Sequence, residues 1–311
     1  MLEVGLLTAK NVGMLLIYIA IGYLLCKSHK LPKNEPVALS KLCTMLLSPA
    51  YIIKSLSVNF SIDRIGENAL MMGYGAIFTA VVIALGLVLA KFVAKTPFER
   101  KSLTYAFTFP NYGYFGFPVI EGVFGSAVLA DVIIFTLPIQ IACSTYGYLL
   151  FSPEKKISWK QILLIPTVIA SAIGIAIGLS GFTLPDFCQS ILNNISNCMS
   201  PISMILGGFV LGRFPLKKLL SGIRAYWLSA IRMLLIPVIV VGAYMLVGVR
   251  GMQLMTPGLF VSLPLGLNLV VFPESYGIDA SDNARLCFIS YVLSIIVLPL
   301  SFGLLSYLAG M

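Results

Sequence analysis

The residues Pro110-Asn111-Tyr112-Gly113-Tyr114-Phe115-Gly116-Phe117-Pro118 sit in the middle of an apolar segment running from about Leu103 to Phe124. A lipid-facing helix has no use for two prolines, two glycines and an asparagine at that depth. Proline removes an amide donor and clashes with the preceding turn. Hydrocarbon offers no hydrogen bonds to the groups so freed, so broken backbone there must be buried in protein or line a cavity. A second such stretch follows, Pro264-Leu265-Gly266-Leu267-Asn268-Leu269-Val270-Val271-Phe272-Pro273, and Pro264 lies 154 residues after Pro110, half of the 311-residue chain. Paired interrupted spans in corresponding halves point to the binding site of a secondary transporter.

Composition agrees with membrane depth. The chain is 59% hydrophobic and 11% charged, which reads as an all-α polytopic membrane protein. The first apolar segment lacks a small-residue cleavage site and reads as a retained span. Ten stretches are long enough to cross the bilayer: 6–26, 36–56, 69–93, 103–124, 128–151, 161–180, 189–211, 226–248, 255–275 and 285–308. The loops between them leave no room for a soluble domain. The net charge of +9 raises nucleic acid as a partner, but Lys and Arg cluster in short loops without interleaved aromatics, so none is expected. With the N-terminus outside, 15 of the 21 basic residues fall in inner loops, among them Lys33, Lys155 and Lys156, while 4 fall outside and Lys41 and Arg232 lie within spans. That asymmetry predicts a multi-pass protein of the cell (inner) membrane with both termini outside.

The second half repeats landmarks of the first. Ile19-Ala20-Ile21-Gly22 returns as Ile175-Ala176-Ile177-Gly178, Leu31-Pro32 as Leu184-Pro185, Ser48-Pro49 as Ser200-Pro201, and Leu137-Pro138 as Leu298-Pro299. The offsets are 156, 153, 152 and 161 residues, in the same order along the chain. Residues 1–156 and 157–311 therefore read as two five-span repeats. Because five is odd, the second enters the membrane from the opposite side and the repeat is inverted.

No catalytic constellation stands out: there is no serine elbow, phosphate loop or metal-binding run, His29 is the only histidine, and no cofactor is implied. The six cysteines form no CxxC and read as packing residues, with a Cys188–Cys198 disulfide as the one pairing to consider. The breaks offer more chemistry. A helix that restarts in mid-membrane presents free amides and a positive dipole end. Two such ends facing each other make an anion pocket without a buried lysine. Asn111 and Asn268 can donate and accept beside it, while Gly113, Gly116 and Gly266 allow close approach. The bland alternative is a kinked packing helix whose asparagine satisfies a freed carbonyl. Gln140, Ser48 and Tyr112 are further candidates for lining the same cavity, each with an ordinary packing role as the alternative. Lys41 and Arg232 read as snorkelling toward the inner face. Glu121, Asp131 and Glu274 either take up a proton during transport or terminate helices at the interface.

These residues resemble a known family. Asn111-Tyr-Gly-Tyr-Phe-Gly-Phe-Pro118 is similar to the Asn-x-Gly-x-x-Gly-x-Pro signature of the auxin efflux carriers, which include plant PIN carriers and bacterial malonate or malate permease-like proteins. Pro264-x-x-x-Asn268 with Tyr276-Gly277-x-Asp279, and Ser48-Pro49-Ala50, resemble other parts of the same pattern. The resemblance covers essentially the whole chain and, with a short central loop, fits the compact bacterial type. It implies ten spans in two inverted repeats, a scaffold of spans 1, 2, 6 and 7, and a transport domain of spans 3–5 and 8–10 that moves as an elevator. It further implies that Asn111, Gln140 and Asn268 bind a small organic anion, with Ser48 contributed by the scaffold. Its crossover prolines would be Pro118 and Pro264, leaving Pro110 and Pro273 extra. The expected partners are that anion, the lipid bilayer and a second copy docked through the scaffold helices. A sodium- or proton-coupled symporter of the bile-acid type and a non-translocating ligand sensor remain as alternatives.

Overall fold

The computed structural model describes residues 1–28, 30, 35–153 and 158–310. His29, Leu31, Pro32, Lys33, Lys155 and Lys156 lie outside the described residues. The principal helices are α1 (Leu2–Lys27), α2 (Val37–Asn59), α3 (Ile62–Val93), α4 (Pro97–Thr108), α5 (Tyr112–Gly147), α6 (Pro166–Ser180), α7 (Asp186–Gly212), α8 (Ile223–Leu246), α9 (Met252–Ser262), α10 (Asn268–Ser275) and α11 (Ser281–Ala309). Seven of them (α1, α2, α3, α5, α7, α8 and α11) are long and apolar enough to cross a membrane, and α6 is a shorter apolar helix. The chain is a multi-pass membrane protein. Among the described residues the one β-type pairing is an isolated antiparallel bridge between Pro110 and Leu265.

Two boundaries differ from the sequence expectation. The first broken segment starts at Pro97 instead of near Leu103, because Thr96 Oγ accepts the Glu99 amide and a proline occupies the first turn, both strong start signals. Arg100 and Lys101 are therefore helical. The stretches expected at 103–124 and 128–151 share the helix α5, which kinks at Gly125, where φ is 84°. Only glycine adopts that conformation without strain, so the chain changes direction there without a loop.

Helices α1 and α7 pack together, as do α2 and α6, while α3 packs on α4 and α5, and α9 packs on α8 and α11. The first two contacts are made by the repeated glycines. A Cβ on Gly22 would run into the Ile205 carbonyl of α7, and one on Gly178 would meet the Leu56 carbonyl of α2 and the Phe60 carbonyl just past its end. Across the α1–α7 contact, a Cβ on Gly208 would strike the backbone of Ile19, Gly22 and Tyr23. Membrane helices gain little from hydrophobicity against one another, so backbone-to-backbone approach through small residues is what holds such pairs. Gly208→Val is expected to destabilise the fold by about 1–3 kcal/mol or more, since backbone cannot move aside as a side chain can. Thermal unfolding of the purified protein checks this; an unchanged midpoint would contradict the α1–α7 contact.

Candidate functional site

The chain leaves α4 at Thr108 and passes through Phe109 in an extended conformation, φ −113° and ψ 100°. It then meets the break between α9 and α10 head-on. Pro110 pairs with Leu265, and the Asn111 amide donates to the Pro264 carbonyl at 2.8 Å. The two breaks thus cross each other. A Cβ on Gly266 would lie 3.1 Å from the Phe109 carbonyl oxygen and 3.3 Å from that of Pro110, so glycine is needed for the close approach. Gly116 packs against the Leu263 side chain from the same break. Pro110, and not Pro118, pairs across. Pro118 lies inside α5, just past its π-helical opening turn Tyr112–Gly116, and Pro273 lies inside α10.

A polar stripe on α11 serves the crossing. Asn283 Nδ2 donates to the Leu269 carbonyl at 2.9 Å, and the Cys287 thiol lies 3.6 Å from the Gly266 carbonyl oxygen. Ser290 Oγ accepts the Leu265 amide at 3.1 Å, and the Tyr291 hydroxyl accepts Asn111 Nδ2 at 2.8 Å. Residues 283, 287, 290 and 291 share one helix face. Sequence reading missed all four, although serine, asparagine and cysteine at that spacing in an apolar helix are the signal. On the other side, the side chains of Asn268, Tyr112 and Tyr105 gather on the Cys143 thiol, with the Tyr105 hydroxyl at 3.3 Å. Gln140, one turn before Cys143, is 8% exposed, and its Oε1 has no partner among the described residues.

The structure therefore brings Asn111, Asn268, Tyr112 and the Gln140 face of α5 to the crossing. Neither α5 nor α10 has a side-chain cap at its start. Both helices begin beside the crossing. The Leu269 and Val270 amides of α10 are taken by the Gly266 and Leu267 carbonyls, whereas the Tyr112, Gly113 and Tyr114 amides of α5 have no such acceptor among the described residues, and free donors at a helix start favour an anion. A Cβ on Gly113 would meet nothing within 4 Å, so space adjoins the first turn of α5. Asn111 itself is 5% exposed, and this conformation is closed over it. Ser48, half-buried in α2, makes no hydrogen bond to these residues among those described. The helices beside it instead touch the first turn of α5: Thr44 Oγ1 lies 3.1 Å from the Tyr114 hydroxyl, and Ser203 Oγ of α7 donates to the Tyr114 carbonyl at 3.3 Å.

The three carboxylates stand in ion pairs. Lys54 of α2 lies 3.4 Å from Glu121, which also accepts the Tyr51 hydroxyl. Arg213, just past α7, lies 3.0 Å from Glu274. Arg64 lies 2.9 Å from Asp131. Glu121 and Glu274, which occupy matching places in the two halves, thus both reach out of the broken segments to the ends of α2 and α7. Asp279, in the turn before α11, accepts the Ser281 amide and hydroxyl, which hold its carboxyl below the usual range. Lys41 is exposed, as snorkelling requires. Arg232 is not: it is 1% exposed and donates from Nη1 to the Val261 carbonyl at the end of α9, because that helix stops in mid-membrane and leaves the carbonyl free. The cysteines divide similarly. Cys43, Cys143 and Cys287 are buried, while Cys188 and Cys198 are exposed and unpaired with each other.

Tyr291→Phe is expected to strand the Asn111 carboxamide and cost about 1–3 kcal/mol, the penalty for an unmade bond at a buried donor. A lowered unfolding midpoint with unchanged helix content is the expected result; a wild-type midpoint would mean that the bond is not made.

Comparison with known proteins follows the same halves. The sequence profile of a family described as "Membrane transport protein" matches residues 8–159 and again residues 154–302. A protein of Methanothermobacter thermautotrophicus described as an uncharacterized transporter is 24% identical over 305 residues, covering 94% of this chain and 97% of its own length. Another uncharacterized transporter, from Methanocaldococcus jannaschii, is 25% identical over 296 residues, covering 92% of this chain and 95% of its own.

Proposed function

We propose that this chain, which belongs to the membrane transport protein family, is a secondary transporter that carries a small organic anion, a carboxylate, by alternating access. The observation that carries the reading is the crossing itself. Two broken helices meet through Pro110, Asn111, Pro264 and Leu265, and two uncapped helix starts, those of α5 and α10, adjoin it. That arrangement offers an anion backbone donors and dipole ends without a lysine in contact. Asn268, Asn111, Gln140 and Tyr112 supply neutral hydrogen-bonding groups around it, and Gly113 leaves room.

The two successive profile matches support a reading as two five-span inverted repeats, ten crossings in all, with both termini outside. In this reading α1, α2, α6 and α7 form the scaffold, held by Gly22, Gly208 and Gly178, and they also dock a second copy of the chain. The remaining helices form the body that moves past it as an elevator. Glu121 and Glu274 bridge the two bodies from opposite ends, so their ion pairs must break or travel during the cycle, which makes them and Asp131 the candidates for coupling to protons. Scanning pH and sodium during uptake reads that coupling.

The test is uptake of labelled malonate, malate, lactate and indole-3-acetate into proteoliposomes. Saturable flux is expected for at least one of them, with Asn111→Ala and Asn268→Ala each losing tenfold or more, about the worth of one or two hydrogen bonds to a charged group. Wild-type flux in both variants would overturn the site assignment, and flux of none of the four through folded protein would overturn the substrate class.

A further inference from the structure

Arg232 is the largest fully buried side chain among the described residues. It sits in Ile231–Leu235, where α8 widens into a π-helical turn. Its Nη1 donates to the carbonyl of Val261, three residues before Pro264, and its Nε has no hydrogen-bond partner among the described residues. The ion pairs among the described residues use Lys54, Arg64, Arg213, Arg224 and Arg285, and none uses Arg232. A guanidinium does not shed its proton at any ordinary pH, so the charge is permanent. Burying it without a counter-ion is costly, and an unpaired cation at membrane depth calls for a partner that the described residues do not provide. The corresponding helix of the first half offers no equivalent, since α3 carries no charge between Glu67 and Lys91. The crossing therefore has a fixed positive charge on one side only.

Resting on the transport reading above, we propose that Arg232 is the countercharge of the crossing: a positioning residue that holds the carbonyl end of α9 and makes the pocket take a carboxylate in preference to the same molecule without its charge. It acts through the Val261 carbonyl and through space, not by contact with the ligand. The Val261 bond alone would explain a structural arginine. The unbonded Nε and the missing carboxylate are what that explanation leaves over. At the effective dielectric of about 20 that suits protein interiors, a unit charge changes an anion's affinity tenfold or more out to roughly 12 Å.

The experiment measures binding of acid and amide pairs to purified protein in nanodiscs by calorimetry: lactate against lactamide, malonate against malonamide, and indole-3-acetate against indole-3-acetamide. The wild type is expected to bind at least one acid more than tenfold tighter than its amide. Arg232→Lys should keep that ratio. Arg232→Gln, which retains a donor for Val261, should collapse it toward one by losing acid affinity alone. Should Arg232→Gln not fold, Ser229→Asp places a carboxylate one turn away on the same helix face, neutralises the guanidinium in place, and should collapse the ratio equally. A folded Arg232→Gln or Ser229→Asp that keeps the acid-to-amide ratio overturns the proposal while leaving the transport reading standing. A wild type that binds none of the three acids overturns the proposal, and the absence of flux for all four acids overturns the transport reading with it.

Discussion

Everything at the centre of this molecule follows from the need to satisfy backbone groups freed in mid-membrane. Two helices stop and restart where no water can reach, and each unmade bond there would cost several kcal/mol. The two breaks solve much of this for each other. The Asn111 amide takes the Pro264 carbonyl, and Gly266 lets the strands approach closely enough to do so. Asn283, Ser290 and the Cys287 thiol of α11 take care of Leu269, Leu265 and Gly266, and Arg232 takes the last free turn of α9. At the start of α10 the Leu269 and Val270 amides are taken by the Gly266 and Leu267 carbonyls, so the backbone donors left over among the described residues are the opening amides of α5 at Tyr112, Gly113 and Tyr114.

The helices that satisfy this crossing are largely distinct from the glycine-packed pairs. Most groups that satisfy it, on α4, α5, α8, α9 and α11, lie outside the tightly packed pairs α1–α7 and α2–α6. The two sets still touch widely: α1 packs along α11, Tyr51 of α2 stacks on Phe117 of α5 at 6.4 Å, and Thr44 and Ser203 meet Tyr114 through polar contacts. The bridges at Glu121 and Glu274 are partly exposed ion pairs, worth about 1 kcal/mol or less each.

The breaks and their pairing at half the chain length were legible because proline and glycine in an apolar run have few explanations. The glycine landmarks were legible as a repeat, but their reason, backbone contact at Gly22 and Gly178, needed the packing. The choice between Pro110 and Pro118 was not legible. Both belong to the same motif, and only the partner strand distinguishes a crossing residue from a proline inside the helix that follows. The α11 stripe escaped notice because serine and cysteine are unremarkable singly in apolar helices, and their importance lies in a shared face. Arg232 was misread because distance from a span's end suggested snorkelling, whereas its fate was decided by a free carbonyl from α9.

The most direct test of the crossing is a cross-link. Residues paired across an antiparallel bridge have Cα atoms roughly 4.5–5.5 Å apart, inside the range a disulfide spans. Combining Pro110→Cys with Leu265→Cys, oxidising in native membranes and mapping the linked peptides by mass spectrometry should give a 110–265 disulfide as the main new product. If both introduced thiols stay free, or join native cysteines elsewhere, the two breaks do not cross as described, and the anion site built on them falls with it.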